Sequence, residues 1–201
     1  MKKGWIIALG TIAIVVLLVI MIVGWGVGVY NKLVGLNEGV NQSWSQVENQ
    51  YQRRYDLIPN LVSTVKGVAE FEKETFTAVT EARAKVGQIK LSADQLADPQ
   101  AFQQFQQAQD GLSSALSRLL VVSENYPQLK ANENFLQLQA QLEGTENRIS
   151  VERMKYNQVV QDYNTQIKRF PAALIAGITG FSEKQYFRAI EGSQQAPKVE
   201  F

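Results

Sequence analysis

A long uncharged apolar run near the start of the chain limits what this sequence can fold into more than any other feature. Residues 5–29 carry no ionisable side chain and follow a short basic flank at residues 1–4. As a helix rising ~1.5 Å per residue, the run measures roughly 38 Å, which exceeds the ~30 Å hydrocarbon core of a bilayer. A secretory signal has a shorter apolar region and small residues at its cleavage site, whereas Trp25, Val29 and Tyr30 stand here. We therefore predict a single membrane-spanning helix over residues 5–29.

The charges flanking this run predict its orientation. Lys2 and Lys3 precede the run, and Lys32 alone follows it closely. Lysine and arginine are enriched on the cytoplasmic side of membrane helices, so we expect a cytoplasmic N-terminus and an extracytoplasmic remainder in a bacterial inner membrane. The difference in charge is small, and the reverse orientation stays open.

The remaining chain, of roughly 160 residues, is long enough for one hydrophobic core. The whole sequence balances 20 lysines and arginines against 19 acidic residues and has no basic block, which argues against a nucleic-acid partner. Alternating β-branched runs between turn residues are nearly absent, whereas helix-favouring residues dominate. We predict an all-α ectodomain.

The first helix is expected to continue out of the membrane. Apolar residues between Leu33 and Ala69 recur in steps of three and four, with a repeated 3-4-4 step that includes Tyr55. Pro59 interrupts this pattern without shifting it, so we expect a kink there. The helix is then expected to run to about residue 85, with a connector over residues 86–92.

Two further long helices are predicted beyond this connector. Asp98 is a suitable N-cap, and Pro99 occupies the first helical position after it. This helix is expected to end near Tyr126. The next helix carries the most regular heptad of the chain, over residues 135–170.

The last helical segments are short. Pro171 is expected to open a fourth helix, which Gly180 can close, and residues 182–185 match a capping box that predicts one more helical turn. Long helices with short connectors favour an antiparallel, coiled-coil-like bundle, here over residues 30–190. Residues 191–201 are expected to form a flexible tail.

Several sequence motifs resemble the LemA family between about residues 28 and 190. They are Tyr30-Asn31-Lys32-Leu33-Val34, Trp44-Ser45-Gln46-Val47, Gln50-Tyr51-Gln52-Arg53-Arg54, Asp56-Leu57-Ile58-Pro59-Asn60-Leu61-Val62, Thr64-Val65-Lys66-Gly67, Glu124-Asn125-Tyr126-Pro127, Leu142-Glu143-Gly144-Thr145-Glu146-Asn147-Arg148-Ile149 and Arg169-Phe170-Pro171 with Gly180-Phe181. The resemblance implies a bacterial membrane-anchored helical bundle with no established catalytic residues. The family includes proteins linked to magnetosome membranes, which suggests a role in membrane organisation.

The absence of histidine and cysteine excludes several kinds of chemistry. Without them the chain has no histidine phosphorelay, no Ser-His-Asp or Cys-His nucleophile and no zinc site with the usual ligands. No P-loop motif occurs either. We predict no cofactor, no metal and no enzymatic activity; the remaining alternative is an enzyme that uses carboxylates or a Ser–Lys pair such as Ser63 and Lys66.

Charged residues interrupt the apolar seams of the first and third ectodomain helices. An inter-helix ion-pair layer that fixes register is the favoured interpretation, and a ligand-binding pocket is the alternative. We expect an arginine of the first helix to pair with a glutamate of the third. The residues are Arg53, Arg54, Asp56, Glu143, Glu146, Arg148 and Glu152.

Four glycines lie on one face of the first helix. Gly24, Gly28, Gly35 and Gly39 form G-x-x-x-G pairs, which allow helices to approach closely in lipid. We predict that this face mediates self-association into a homo-oligomer.

Two C-terminal segments are candidate contact sites. The run at residues 170–181 is too short to span a membrane and has no Lys/Arg-rich face, so a partner or a second subunit is expected to cover it. Its apolar residues are Phe170, Leu174, Ile175, Ile178 and Phe181. In the tail, Val199 and Phe201 alternate with a polar residue up to the terminal carboxylate, as in peptides that PDZ domains bind.

These features favour a membrane-anchored, non-enzymatic helical scaffold that self-associates or presents a surface to an unidentified protein partner. The alternative is an accessory or sensor subunit of a membrane protease or signalling complex. The carboxylate- or Ser–Lys-based enzyme is the third hypothesis.

Overall fold

The computed structural model describes residues 2–67 and 72–188, and within these ranges every regular element is helical. The elements are α1 (Lys2–Lys66), α2 (Lys73–Gln88), a 3₁₀ turn (Ala93–Ala97), α3 (Pro99–Ser123), α4 (Pro127–Lys130), α5 (Glu133–Lys168) and α6 (Ala172–Thr179). The predicted all-α fold is confirmed. The tail residues Val199 and Phe201 lie outside the described residues.

Helix α1 is a single element of 65 residues. Its first part is the one helical stretch among the described residues that is long and apolar enough to cross a membrane, and none of that stretch is buried. Its second part, from Leu33 onward, contributes a continuous row of buried side chains to the bundle. One helix therefore forms both the candidate span and a wall of the bundle.

The first ectodomain helix ends earlier than its pattern predicts. Pro59 lies inside α1, but the helix stops at Lys66, just before Gly67, rather than near residue 85. Residues 73–88 form the separate helix α2. The apolar pattern persists because α2 also buries side chains, Thr75 and Val79 among them, so periodicity alone did not reveal the break.

The long helices form an up-down-up-down bundle. Helix α5 is antiparallel to α1: position 39 of α1 faces Val159, and Arg54 faces Glu146. Helix α2 also runs opposite to α1, because Phe76 lies beside Lys66 and Gly87 beside Tyr55. Helix α3 follows the direction of α1 and completes the four-helix arrangement.

The core is divided into two parts along the bundle axis. The part nearer the candidate span is rich in aromatic residues, and Trp44 makes edge or tilted contacts with Phe102, Phe105 and Tyr156. The distal part is aliphatic and includes Ile58, Leu61, Leu112, Leu119 and Leu142. Trp44, Tyr51 and Tyr156 are at most 5% exposed, as expected for core aromatics.

Helix ends follow local signals where such signals exist. Asp98 caps α3 by accepting from the backbone N–H groups of Gln100 and Ala101, with Pro99 at the first helical position, as predicted. Gly180 ends α6 in the left-handed region, at φ 81°, where a side chain would be strained. Residues 181–188, which we call the C-terminal strap, then run back along α5 without forming the predicted helical turn.

Candidate functional site

A polar layer separates the two parts of the core, and Arg54 is its centre. The Arg54 side chain has no solvent exposure, although it carries a charge. Its Nη1 donates to Glu146 Oε1 at 2.7 Å and to Ser113 Oγ at 2.6 Å, while Nη2 donates to the side-chain oxygen of Gln109. Ser113 Oγ in turn donates to Glu146 Oε2 at 3.2 Å. Two helices, α3 and α5, therefore supply the partners of one buried cation on α1.

A second arginine lies one step nearer the membrane end of the bundle. Arg153 Nη2 pairs with Asp110 Oδ1 at 2.9 Å, and its Nε donates to the hydroxyl of Tyr51. The guanidinium carbon also lies 4.9 Å from the ring centroid of Phe187. This arrangement joins α1, α3, α5 and the strap through one side chain.

The surroundings of Tyr51, Arg153 and Tyr156 shift the pKa of each side chain. Burial raises the pKa of Tyr51 to about 12, although Arg153 and then Arg54 oppose the shift. Burial alone would lower the pKa of Arg153, but the interactions with Tyr51 and Asp110 outweigh it and raise that pKa. Burial likewise raises the pKa of Tyr156, whose hydroxyl has no hydrogen-bond partner among the described residues. Tyr51, Tyr156 and Arg153 therefore keep their protonated forms at neutral pH.

The structure brings together Arg54 and Glu146 of the predicted layer, but not the other five residues. Arg53 and Arg148 are exposed. Asp56 and Glu143 accept hydrogen bonds from Gln52 and Gln139, one turn away on their own helices, and Glu152 pairs with Lys155 at 2.7 Å. Arg53 and Asp56 lie toward the solvent because the buried seam of α1 passes through residues 51, 54 and 58, rather than through Tyr55.

Helix α3 supplies the partners that sequence reasoning missed. Its buried residues step 102, 105, 109, 112, 116 and 119, a regular heptad with Gln109 at a core position. Arg54 occupies a core position of α1 in the same way. A polar residue at a position where the repeat predicts an apolar one, such as Gln109 on α3 or Arg54 on α1, was therefore the sequence signal for this polar layer.

Three side-chain amides hold the C-terminal strap in the groove between α3 and α5. Asn164 binds both the N–H and the C=O of Lys184, each at 2.9 Å. Asn157 does the same for Phe187 at 2.9 Å, and Gln106 does so for Arg188 at 3.2 and 2.8 Å. These bonds satisfy the strap backbone without a neighbouring strand, which explains why it is extended rather than helical.

Phe187 anchors the strap in the aromatic core. Its ring is stacked on Trp44, with centroids 6.1 Å apart, and lies 4.9 Å from Phe102 and 5.4 Å from Tyr156. Beside it, an open groove of about 490 Å³ is lined by α3 and the end of the strap, including Gln106 and Tyr186. The three side-chain amides therefore bind the backbone of the C-terminal strap, whereas the aromatic core binds one of its side chains, that of Phe187.

The predicted glycine face is mostly uncovered. A side chain added at Gly24, Gly28 or Gly35 would meet nothing within 4 Å, whereas one at Gly39 would touch Val159 of α5. On the opposite side of α1, Gly26 faces Ile175 of α6. Three of the four glycines thus remain accessible to another helix.

The five apolar residues of the segment at 170–181 divide into two groups. Ile175 and Phe181 pack on this chain's own core, with the Phe181 ring 5.9 Å from that of Tyr30. Phe170, Leu174 and Ile178 are 82%, 59% and 84% exposed. A partner surface, if present, would therefore be limited to these last three residues.

The described residues contain no group of three or more histidine, cysteine, aspartate or glutamate side chains that could hold a metal ion. Lys66 belongs to the candidate Ser–Lys pair with Ser63, and its ammonium group lies over the ring of Phe76, 5.3 Å from the ring centroid. The arrangement around Arg54 and Arg153 is thus one of ion pairs and hydrogen bonds between helices, which favours a fixed helix register over a ligand pocket.

Comparison with known proteins gives consistent matches. The sequence matches the LemA family over residues 43–201. It is 29% identical to magnetosome protein MamQ 2 of Paramagnetospirillum magneticum over 175 residues, covering 79% of this chain and 64% of that protein. It is also 29% identical to magnetosome protein MamQ of Magnetospirillum gryphiswaldense over 174 residues, with the same coverage.

A match to a protein named for the family is more distant in sequence and covers more of the relative. Protein LemA of Metamycoplasma hominis is 24% identical over 165 residues, covering 82% of this chain and 71% of that protein. The chain spans just under two thirds of the length of the magnetosome relatives. Because the family match covers well over half of the sequence, the chain belongs to the LemA family.

Proposed function

We propose that this protein is a membrane-anchored, non-catalytic helical scaffold, which holds a rigid bundle at the bacterial inner membrane and self-associates through its membrane helix. The observation that carries the proposal is the continuity of α1. Residues 2–66 form one helix, roughly 98 Å long at ~1.5 Å per residue. No flexible linker separates the candidate span from the bundle, so the orientation of one determines that of the other.

The interior of the bundle supports a structural role. Its buried charges are paired across helices, its aromatic core is filled by its own strap, and no metal cluster is found in the described part of the chain. Relatives named as magnetosome proteins are compatible with a structural component, although their names state no activity. The paired lysines before the span favour an extracytoplasmic bundle.

Self-association is proposed through the open glycine face. Gly24, Gly28 and Gly35 have no neighbour within 4 Å and lie away from the side of α1 that α6 covers. A second copy approaching there would meet only backbone, which allows the close packing that stabilises helix pairs in lipid. Glycine costs up to ~1 kcal/mol per site in a helix, a cost that such packing would offset.

The test compares the size of the full-length protein in mild detergent with that of two variants. In Gly28→Leu/Gly35→Leu, we expect the homo-oligomer to shift to a smaller species with unchanged helicity. Gly111→Leu, on an equally open position of α3 far from the span, is the matched control and is expected to keep the parental size. A parental protein that is monomeric in both detergent and cross-linked membranes would contradict the scaffold proposal.

The alternative, an accessory subunit of a larger complex, predicts a different outcome. Cross-linking in native membranes would then join this chain mainly to another protein, and the double glycine variant would leave that product unchanged. The homo-oligomeric scaffold instead predicts cross-links between copies that the double variant removes.

A further inference from the structure

We propose that the apolar surface formed by Leu174 and Ile178 on the outer face of α6, with Phe170 just before the helix, is a second membrane contact that inserts into the lipid surface beside the exit of the span. The inference rests on the proposed membrane crossing of α1. It adds an interfacial element that holds the bundle against the bilayer and assigns lipid, rather than a protein, as the occupant of this face.

The position of α6 along α1 supports this assignment. Ile175 lies 3.8 Å from a side-chain carbon placed at Gly26, and Phe181 packs on Tyr30. Gly26 precedes the end of the uncharged run at Val29 by three residues, roughly 4.5 Å along a helix. Helix α6 therefore lies at the level where the apolar part of α1 ends, which is the level of the membrane interface.

The exposed side of α6 has the composition of a lipid-facing surface. Leu174 and Ile178 are one turn apart on α6 and so lie on one face, and Phe170, two residues before the helix, is large and exposed as well. The opposite side is already occupied, because Ala172 and Ala176 are buried against the bundle. No charged residue occurs between Ala172 and Thr179. An uncovered apolar face of this kind next to a membrane helix is favourably buried in the headgroup–acyl boundary.

The surrounding residues complement an interface of this kind. Trp25 and Tyr30 are 44% and 42% exposed on α1 at this level, where aromatic belts are found. Arg169, directly before Phe170, and Lys32 are exposed, with no ion pair in the described ranges, so their charges are available to lipid phosphates. Lys168 is paired with Glu183 at 2.7 Å.

The sequence favoured a protein contact for residues 170–181 because this segment has no Lys/Arg-rich face of its own. The structure removes that objection to a lipid contact. The basic residues are present, but they lie on the end of α5 and on α1 rather than on α6 itself. Two of the five apolar residues are covered within the chain, so the face left over is small. It is also continuous with the bare span, which lipid must cover in any case.

The experiment measures probe depth in the full-length protein reconstituted into vesicles of phosphatidylcholine and phosphatidylglycerol. Because the chain has no cysteine, single variants can carry one environment-sensitive fluorophore each. Ile178→Cys tests the proposal. Val121→Cys, 70% exposed on α3, is the aqueous control, and Val15→Cys, in the middle of the apolar run, is the membrane control.

We expect lipid-attached quenchers to quench the probe at position 178, and aqueous iodide to quench it severalfold less than the probe at position 121. Quenching by iodide equal to that at position 121, with the probe at position 15 still quenched from lipid, would overturn the interfacial contact alone. Protection from both quenchers at position 178 would indicate a protein cover and would also overturn it. Loss of lipid quenching at position 15 would instead contradict the membrane crossing itself.

Discussion

The ion pair of Arg54 and Glu146 allows a sharp prediction about stability. Replacing Glu146 with glutamine keeps the shape of the side chain but removes the charge that faces a completely buried guanidinium 2.7 Å away. Breaking a fully buried pair in this way costs about 3–5 kcal/mol. Glu146 is 35% exposed and Arg54 retains Ser113 and Gln109, so we expect a smaller loss, of about 2–3 kcal/mol.

The measurement is thermal unfolding of the full-length protein followed by circular dichroism. For a chain of this size the expected loss lowers the midpoint by about 4–12 °C. Glu143→Gln is the matched control, because Glu143 lies almost one turn away on α5, is exposed and accepts only a local bond from Gln139. We expect its effect to stay within about 0.5 kcal/mol.

A second variant separates the pair's net contribution from the cost of an unpaired charge. Arg54→Met/Gln109→Leu removes the buried cation together with the amide that it binds, and fills the layer with apolar atoms. Such replacements are often neutral or stabilising, so we expect less destabilisation than in Glu146→Gln. The reasoning is refuted if Glu146→Gln has the same unfolding midpoint as Glu143→Gln. It is also refuted if the apolar double variant is the least stable of the three.

Two further predictions concern the strap and the pH dependence of stability. In Asn157→Ala/Asn164→Ala we expect the backbone amides of residues 184 and 187 to exchange hydrogen severalfold faster, because their acceptors are removed. Asn147→Ala, at an exposed position of α5, is the control. Unchanged exchange in the double variant would contradict the proposed role of the two asparagines in holding the C-terminal strap. Burial raises the pKa of Tyr51 to about 12, so folding favours its protonated form. Stability from this residue is complete below the ordinary pKa of ~10 and falls as the pH rises toward 12, a loss that Tyr51→Phe should reduce in alkaline unfolding experiments; identical alkaline profiles would argue against a buried phenol.

Composition and periodicity together predicted the class of fold and the long helices, but periodicity missed the break after Lys66 and placed one seam incorrectly. On α1 the apolar residue Tyr55 was chosen for the seam, whereas the buried position is Arg54. Hydrophobicity favours tyrosine over arginine at a core position, and only partners from α3 and α5 make the burial of the cation stable. Those partners lie 55 to 92 residues away in the chain, so the sequence around Arg54 does not identify them.

The strap shows the same limit. Residues 182–185 satisfy a helix-capping pattern, yet the segment is extended because Asn164 and Asn157 bind its backbone from 20 and 30 residues away. A single asparagine on a helix surface carries no sign that it will bind a backbone rather than water. By contrast, the N-cap at Asp98 and the left-handed Gly180 depend on neighbouring residues only, and the sequence was sufficient to predict both.

The unbroken length of α1 has a mechanical consequence. From Tyr30 to Lys66 the helix extends roughly 54 Å beyond the apolar run, at ~1.5 Å per residue. Membrane helices change tilt when bilayer thickness changes, and a tilt of about 10° would move the distal end of such a rod by roughly 9 Å. Inserting one residue after the span would turn every bundle face by about 100° relative to the glycine side. In the proposed membrane crossing, the continuous helix would therefore convert a small change of tilt in the bilayer into a larger displacement of the distal end of the bundle.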